Sequence, residues 1–374
     1  MTVPGGTSRR MRFEWLGMDD VTPEFVSRWR ALGLAATTPN VYLMPEFMLP
    51  AIRYLEADKT HRLAALWNAD RSDLLVLGIF DVVPRTWRFP FSRLSAAKSK
   101  HSFQTGVLVR SGVDSVAVDR FVDGVFGGSW SAVRFKELRE DSVVFRQLQE
   151  SAARLGLSWF VDRRYMRASW KLGDDATWRS HIPRVRHKRL QRARKKLAAL
   201  GTLEFRVVSG KDVSQCTTDE FLRLEGTGWK SESGLLANSD NTQFFAEMIR
   251  ACREHGMIFF YELVLNGTVI ASTSNFRINE KGFAFKTGHD RAYATACPGI
   301  LAEYAFLESG AASRMRLDEI ESGSWVGSFM EGLWPDRIPM VSGHFFAGKM
   351  PAIYGSVRDR LRAMKSNGLE RPTA

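Results

Sequence analysis

Glu225 and Lys230 bracket a glycine-bearing turn in LEGTGWKSESG. Lys286, Asp290, Arg291 and Tyr293 fall within FKTGHDRAYATACPGILAEYAF, where a strand passes into a loop and the loop into a helix. These residue types suit transfer of an acyl group from a thioester to an amine. Such a reaction requires no covalent enzyme intermediate; it requires a held donor, a base that frees the amine lone pair, and hydrogen-bond donors for the oxyanion. Glu225 and Asp290 are the candidate bases, because each adjoins a glycine-bearing turn, and Tyr293 is the candidate acid for a leaving thiolate. Each residue also has a structural reading. Glu225 can cap its helix or pair with Lys230, Asp290 can hold its loop by accepting backbone N–H groups, and Lys230 can orient Glu225. Trp229 reads as a core or cleft-wall aromatic, so Trp229 and Lys230 form the candidate acceptor-binding set.

The Pro298-Gly299 step that opens the next helix suits a diphosphate. Amides of a first helical turn have no intrahelical acceptor, and glycine lets a bulky ligand approach the backbone. With Lys286 and Arg291 nearby, the candidate donor-binding residues are Lys286, Arg291, Cys297, Gly299 and Ile300. Proline-glycine at a helix start is also ordinary punctuation. Cys297 sits where a helix dipole lowers thiol pKa, which would suit a nucleophile, but packing near the N-cap explains it equally.

RVRHKRLQRARKKL, residues 184 to 197, carries eight Lys and Arg in fourteen positions. Leu190, Ala193, Leu197 and Leu200 recur at helical spacing as one narrow apolar stripe, with Pro183 suited to the helix start and Gly201 to its end. Such a helix is either a solvated surface element or a phosphate-binding one. No recognised nucleic-acid module accompanies it.

The chain that must position these residues has 374 residues, 44% of them hydrophobic, and a net charge of +12. That length favours two domains, divided as 1–165 and 166–374. The charge favours anionic partners: nucleic acid, lipid headgroups or phosphorylated cofactors. Cys216, Cys252 and Cys297 lie far apart with no CxxC pair, which argues against a disulfide framework or a thiolate zinc site. No apolar run reaches about 18 residues, so no membrane span is expected. A soluble cytoplasmic protein is expected, with peripheral contact to an anionic membrane left open.

Strand-like and helix-like runs alternate throughout, indicating α/β or mixed α+β layers. Pro23 to Leu34, VAVDRFVDGVF, SVVFRQLQESAARLGL, a helix starting at Thr217 or Thr218, and NTQFFAEMIRACREHG read as helices. MIFFYELVLNGTVIASTSNFRINEKGFAFKTGHD reads as three strands, the first two joined by Asn266-Gly267, a hairpin signal. GHFFAGKM matches a phosphate-loop spacing but has Met350 where Ser or Thr should hold a metal, so it reads as a core strand leading into a final helix, MPAIYGSVRDRLRAM. There is no G-x-S-x-G, no H-E-x-x-H and no clustering of histidines, so neither a hydrolase triad nor a metal site is expected.

Three ordered signals carry a resemblance: Trp178 followed by the Arg-rich helix, E-x-x-G-W-K-x-x-x-G from Glu225 to Gly234, and K-x-x-x-D-x-x-Y-A-x-x-x-P-G-x-L from Lys286 to Leu301. With them the chain resembles the CelD/BcsL-like acyltransferases of the GNAT superfamily, related to the FemAB peptidyltransferases. KHSFQTGVLVRSG, residues 100 to 112, looks like that family's first half. The resemblance implies two tandem GNAT-like domains, the better-formed donor site in the C-terminal one, acyl-CoA or acetyl-CoA as co-substrate without a metal, and a small-molecule amine acceptor, often in envelope or exopolysaccharide pathways. His289 stands where Tyr is frequent and Cys297 where Ser is frequent. EIESGSWVGSFMEGLWP lacks the Tyr-Lys pair often found there, which bears on acceptor binding. Two alternatives follow: a FemAB-like transferase using aminoacyl-tRNA, with the basic helix on the acceptor stem, or a catalytically silent double-GNAT binding module.

Overall fold

The computed structural model describes residues 11–87, 90–128, 130–173, 175–226, 234–348, 353, 355 and 356. The elements begin with β1 (Arg12–Leu16), α1 (Pro23–Leu34), α2 (Pro45–Leu55), β2 (His61–Trp67), β3 (Leu74–Val83), β4 (Arg93–Ala96) and β5 (Leu108–Val109). Then come α3 (Ser115–Phe126), β6 (Ala132–Arg139), α4 (Val143–Arg154), β7 (Ser158–Lys171), α5 (Asp175–His181), α6 (Arg184–Ala198) and β8 (Leu203–Ser209). The remainder is α7 (Gln215–Glu225), α8 (Ser239–Glu254), β9 (Ile258–Leu265), β10 (Thr268–Ile278), β11 (Lys281–His289), α9 (Pro298–Glu308), α10 (Ala311–Arg314), β12 (Glu319–Glu321) and β13 (Asp336–Phe346). The expected mixed α/β class is what forms. Among the described residues two compact units result: unit one draws on those within 1–43, 58–165 and 339–374, and unit two on those within 44–57 and 166–338.

In unit one the strand order is β1-β2-β3-β4-β6-β13-β7, with β5 on β3. From β1 to β13 the pairs are antiparallel except β4 with β6, which run parallel and so need the crossover that carries α3. Phe80, Leu94, Val133, Phe135 and Phe345 point from this sheet into one core with Phe121, Phe145 and Leu148 of α3 and α4.

Unit two repeats the plan. Its order is β7-β12-β11-β10-β9-β8, antiparallel except for β11 with β12, whose connection carries α9. Asn266 (φ 49°) and Gly267 (φ 78°) both take left-handed backbone, which closes the β9–β10 hairpin as expected. Leu190, Trp178, Tyr261, Phe306 and Trp334 share one core cluster on the α9 side of this sheet. The other side is covered by α7 and α8, and α2 docks on α8 through Phe47 against Phe244, with ring centroids 5.4 Å apart.

Two expectations need correction. α7 begins at Gln215, capped by the Ser214 side chain accepting from Thr217 N, because Ser214 captures the amide one turn before the threonines can. Leu200 is 59% exposed, since α6 ends at Ala198 and the apolar stripe stops with it. Pro45–Leu55, which the sequence reading leaves unassigned, forms α2 with Pro50 inside it. The GHFFAGKM strand ends at Phe346 in β13, and Lys349, Met350 and most of the helix expected to follow lie outside the described residues.

Candidate active site

Glu225 is the last residue of α7 and is buried. Its Oε2 accepts from the Leu235 amide at 2.9 Å, and its Oε1 lies 3.9 Å from Lys286 Nζ on β11. A bulge brings this lysine round. The β10–β11 register passes from Asn275 opposite Ala284 to Ser274 opposite Lys286, so Phe285 is the extra residue. One inserted residue shifts the alternation of faces, so Lys286 joins Phe285 on the α7 and α8 side instead of facing α9. Gly288 lets the elements meet: a Cβ there would lie 2.5 Å from the Glu225 backbone nitrogen. Among the described residues, Glu225 Oε1 accepts no hydrogen bond. A buried carboxylate with one oxygen held by backbone and the other unbonded beside a cation has the geometry of a proton acceptor. Lys230, the expected partner, and Trp229 lie outside the described residues.

The opposite face of β11 meets α9. A Cβ on Gly299 would lie 3.2 Å from Thr287 Cγ2 and 3.7 Å from His289 Nδ1, so the approach this glycine permits is that of α9 to its own strand. β12 pairs with only Lys281, Gly282 and Phe283 of β11.

Between β11 and α9 the chain makes a 3₁₀ turn, Arg291–Ala296, capped by Asp290, whose Oδ1 accepts from Ala292 N at 2.9 Å. Asp290 therefore performs the loop-holding task. Arg291 is exposed on this turn, and Tyr293 is half-buried against the core. Cys297 takes left-handed backbone (φ 49°, ψ 55°) and turns the chain into α9 at Pro298. Leu301 N donates to Cys297 O at 3.0 Å; by helix geometry the amides of Gly299 and Ile300 have no intrahelical acceptor.

Facing that helix start, α6 buries Leu190 and Leu197 in the unit-two core and turns its charges outward. Between them lies a cleft of about 790 Å³, walled by Arg186, Arg189, Arg192 and Lys196 of α6, by Thr295, Cys297 and Ile300, and by Gly327 to Phe329. Arg186 Nη2 donates to Phe329 O at 3.0 Å. Burial, then the charge of Arg189, pulls this guanidinium below its ordinary value, and it remains a cation. Tyr304 of α9 locks the two helices: its hydroxyl lies 2.8 Å from His187 Nδ1 and accepts from Gln191 Nε2 at 3.2 Å. His187 and Gln191 are one helical turn apart in sequence, but nothing in the sequence points to Tyr304.

One buried acid lies beneath. Glu303 of α9 accepts from the Tyr261 hydroxyl of β9 at 2.6 Å. Burial pushes its carboxyl up to about 7, opposed by the hydrogen bond from Tyr261. Among the described residues no group of three His, Cys, Asp or Glu is arranged to hold a metal ion.

Residues 184–322 match the family described as Acetyltransferase (GNAT) domain. No curated protein matches the chain. Among solved structures the chain is similar to FemX at 9% identity, covering 91% of this chain and 98% of that one with a TM-score of 0.58. It is also similar to a conserved protein of unknown function from Bacteroides thetaiotaomicron, at 10% identity, 90% and 100% coverage and a TM-score of 0.53. A third is the C-terminal domain of a putative lysylphosphatidylglycerol synthetase from Agrobacterium fabrum, at 12% identity, 90% and 96% coverage and a TM-score of 0.50. At these identities the likeness is one of fold. The segment that contains α6, the bulged β11 and α9 is thus similar to a GNAT acetyltransferase domain, and the fold of the chain as a whole is similar to that of FemX.

Proposed function

We propose that the chain is an N-acyltransferase of the CelD/BcsL-like kind that moves an acyl group from acyl-CoA or acetyl-CoA to a small-molecule amine. The observation that carries this reading is the cleft in which Arg186, Arg189, Arg192 and Lys196 face the start of α9. A diphosphate there meets both the amides of Gly299 and Ile300 and a wall of cations, which are the two features that favour phosphate binding. The start of α9 lies on one face of β11. On the other face of the same strand, Glu225 is the base: its free Oε1 takes the amine proton while Lys286 holds charge beside it. Asp290 is assigned to the loop, and Tyr293 is kept as the acid for the leaving thiolate. A cytoplasmic setting in envelope or exopolysaccharide metabolism completes the proposal.

Seven of the eight cations of α6 (Arg184, Lys188, Arg189, Arg192, Arg194, Lys195 and Lys196) are exposed, more than one diphosphate requires. That surface favours a second reading, a transferase using aminoacyl-tRNA. Thermal unfolding with saturating acetyl-CoA tests the first reading, since a ligand of the native state raises the midpoint. Absence of any shift with acetyl-CoA or CoA counts against it. Donor binding that falls steeply with salt, as release of many counterions demands, would favour tRNA.

A further inference from the structure

The register of unit one builds a row of polar side chains that the acyl-transfer reading does not use. His61 lies opposite Asp81, Asp81 opposite Ser95, Ser95 opposite Arg134 and Arg134 opposite His344, one residue from each of five neighbouring strands. Directly opposed residues share a face, so this row stands on the side of the sheet away from the apolar core built on Phe80, Leu94 and Val133. Its carboxylates are already shared. Asp81 lies 3.0 Å from His61 Nδ1 and 3.4 Å from Lys59 Nζ; Asp162 lies 3.1 Å from Arg134 and 3.3 Å from His344.

Beside the row is a recess of about 300 Å³ whose described lining includes Lys59, Arg93, Arg134 and Lys136, with Asp81 its one acidic residue. Burial, then the charges of Arg134, Lys98 and Lys59, pulls the Lys136 ammonium below its ordinary value. The wall is thus under mutual repulsion that a bound anion relieves. Two guanidinium forks and two ammonium groups match the oxygens and roughly double charge of a phosphate better than a single carboxylate. The recess reaches the lower end of the size range of small-molecule sites, about 300 Å³, and Val82, Val83 and Pro84 add an apolar side to it. We infer that this recess of unit one binds a phosphorylated small molecule, with its phosphate on Lys59, Arg93, Arg134 and Lys136 and its organic part against Val82 to Pro84.

Calorimetric titration of the whole chain with inorganic phosphate and with glycerol 3-phosphate tests this. Both probes are expected to bind, glycerol 3-phosphate more tightly. Lys59→Gln/Lys136→Gln, which alters the solvent-facing lysines and is checked by its thermal midpoint, is expected to weaken both by about tenfold or more. Lys136→Arg, which keeps the charge, is expected to retain binding, as is Arg189→Glu/Arg192→Glu on α6. Failure of the unaltered chain to bind, unchanged affinity in the double glutamine variant, or loss confined to the α6 variant overturns the site. Equal affinity for the two probes overturns the organic part.

Discussion

Glu225 and Lys286 become a pair only through the bulge at Phe285, which turns the lysine to the face where α7 ends. Glu225→Gln preserves an acceptor for the Leu235 amide and removes the proposed proton acceptor. It is expected to lower kcat by about 10²-fold or more while leaving acetyl-CoA affinity unchanged; steady-state turnover over a panel of amines, with calorimetry for the donor, checks this. A comparable loss in Asp290→Asn instead would move the base to the loop. Glu303 gives a second prediction at this scale. Its carboxyl, up to about 7 in the fold, binds protons more tightly there than in the unfolded chain. Between the ordinary carboxylate range and about pH 7 the unfolded chain has lost that proton and the native chain retains it, so stability falls as pH rises, then levels off. Glu303→Gln is expected to flatten this slope, which amounts to about 3 kcal/mol at most, in unfolding curves taken across that window. Both acids were visible as residue types, but only Glu225 was legible as a candidate. The sequence marks turns and helix ends, whereas Glu303 depends on a tyrosine from a distant strand.

At the scale of elements, two glycines let α7 and α9 close on opposite faces of β11. A Cβ at Gly288 meets backbone of α7 at 2.5 Å, whereas one at Gly299 meets the Thr287 methyl at 3.2 Å. Gly288→Ala is therefore expected to destabilise by about 1–3 kcal/mol, as overpacking does, and Gly299→Ala by less; denaturant unfolding of the two variants, compared side by side, decides it. Equal costs would mean that α7 does not rest on β11 as described. Elements bounded by local chemistry were legible: α1 runs from Pro23 to Leu34 as its capping and periodicity imply, and the Asn266-Gly267 hairpin forms. α2 was not assigned from sequence, and an interior proline such as Pro50 disfavours a helix on local grounds. Its helix is stabilised instead by tertiary partners: Phe47 packs on Phe244, and Arg53 and Tyr54 bind Glu247 at 2.7 and 2.8 Å.

At the scale of the molecule, alternation of strands and helices made the mixed α/β class legible, and a crossover helix recurs between parallel strands in each unit. Strand order was not legible. Unit one gathers its sheet from segments as distant as β1 and β13, and periodicity within a segment is silent about its neighbours. The polar row from His61 to His344 escaped the sequence for the same reason. Net charge of +12 pointed to anions without locating them. The proposed function places one such site at α6, whose Leu190 and Leu197 seam fixes which cations line the cleft facing α9. The central claim is that these cations and the α9 start together hold the diphosphate of an acyl-CoA. Calorimetric titration of acetyl-CoA into the whole chain and into Arg189→Glu/Arg192→Glu tests it most directly. Binding to the unaltered chain that weakens by about tenfold or more in the variant, with the thermal midpoint retained, is the expected result; equal affinity in both, or no binding to either, would contradict it.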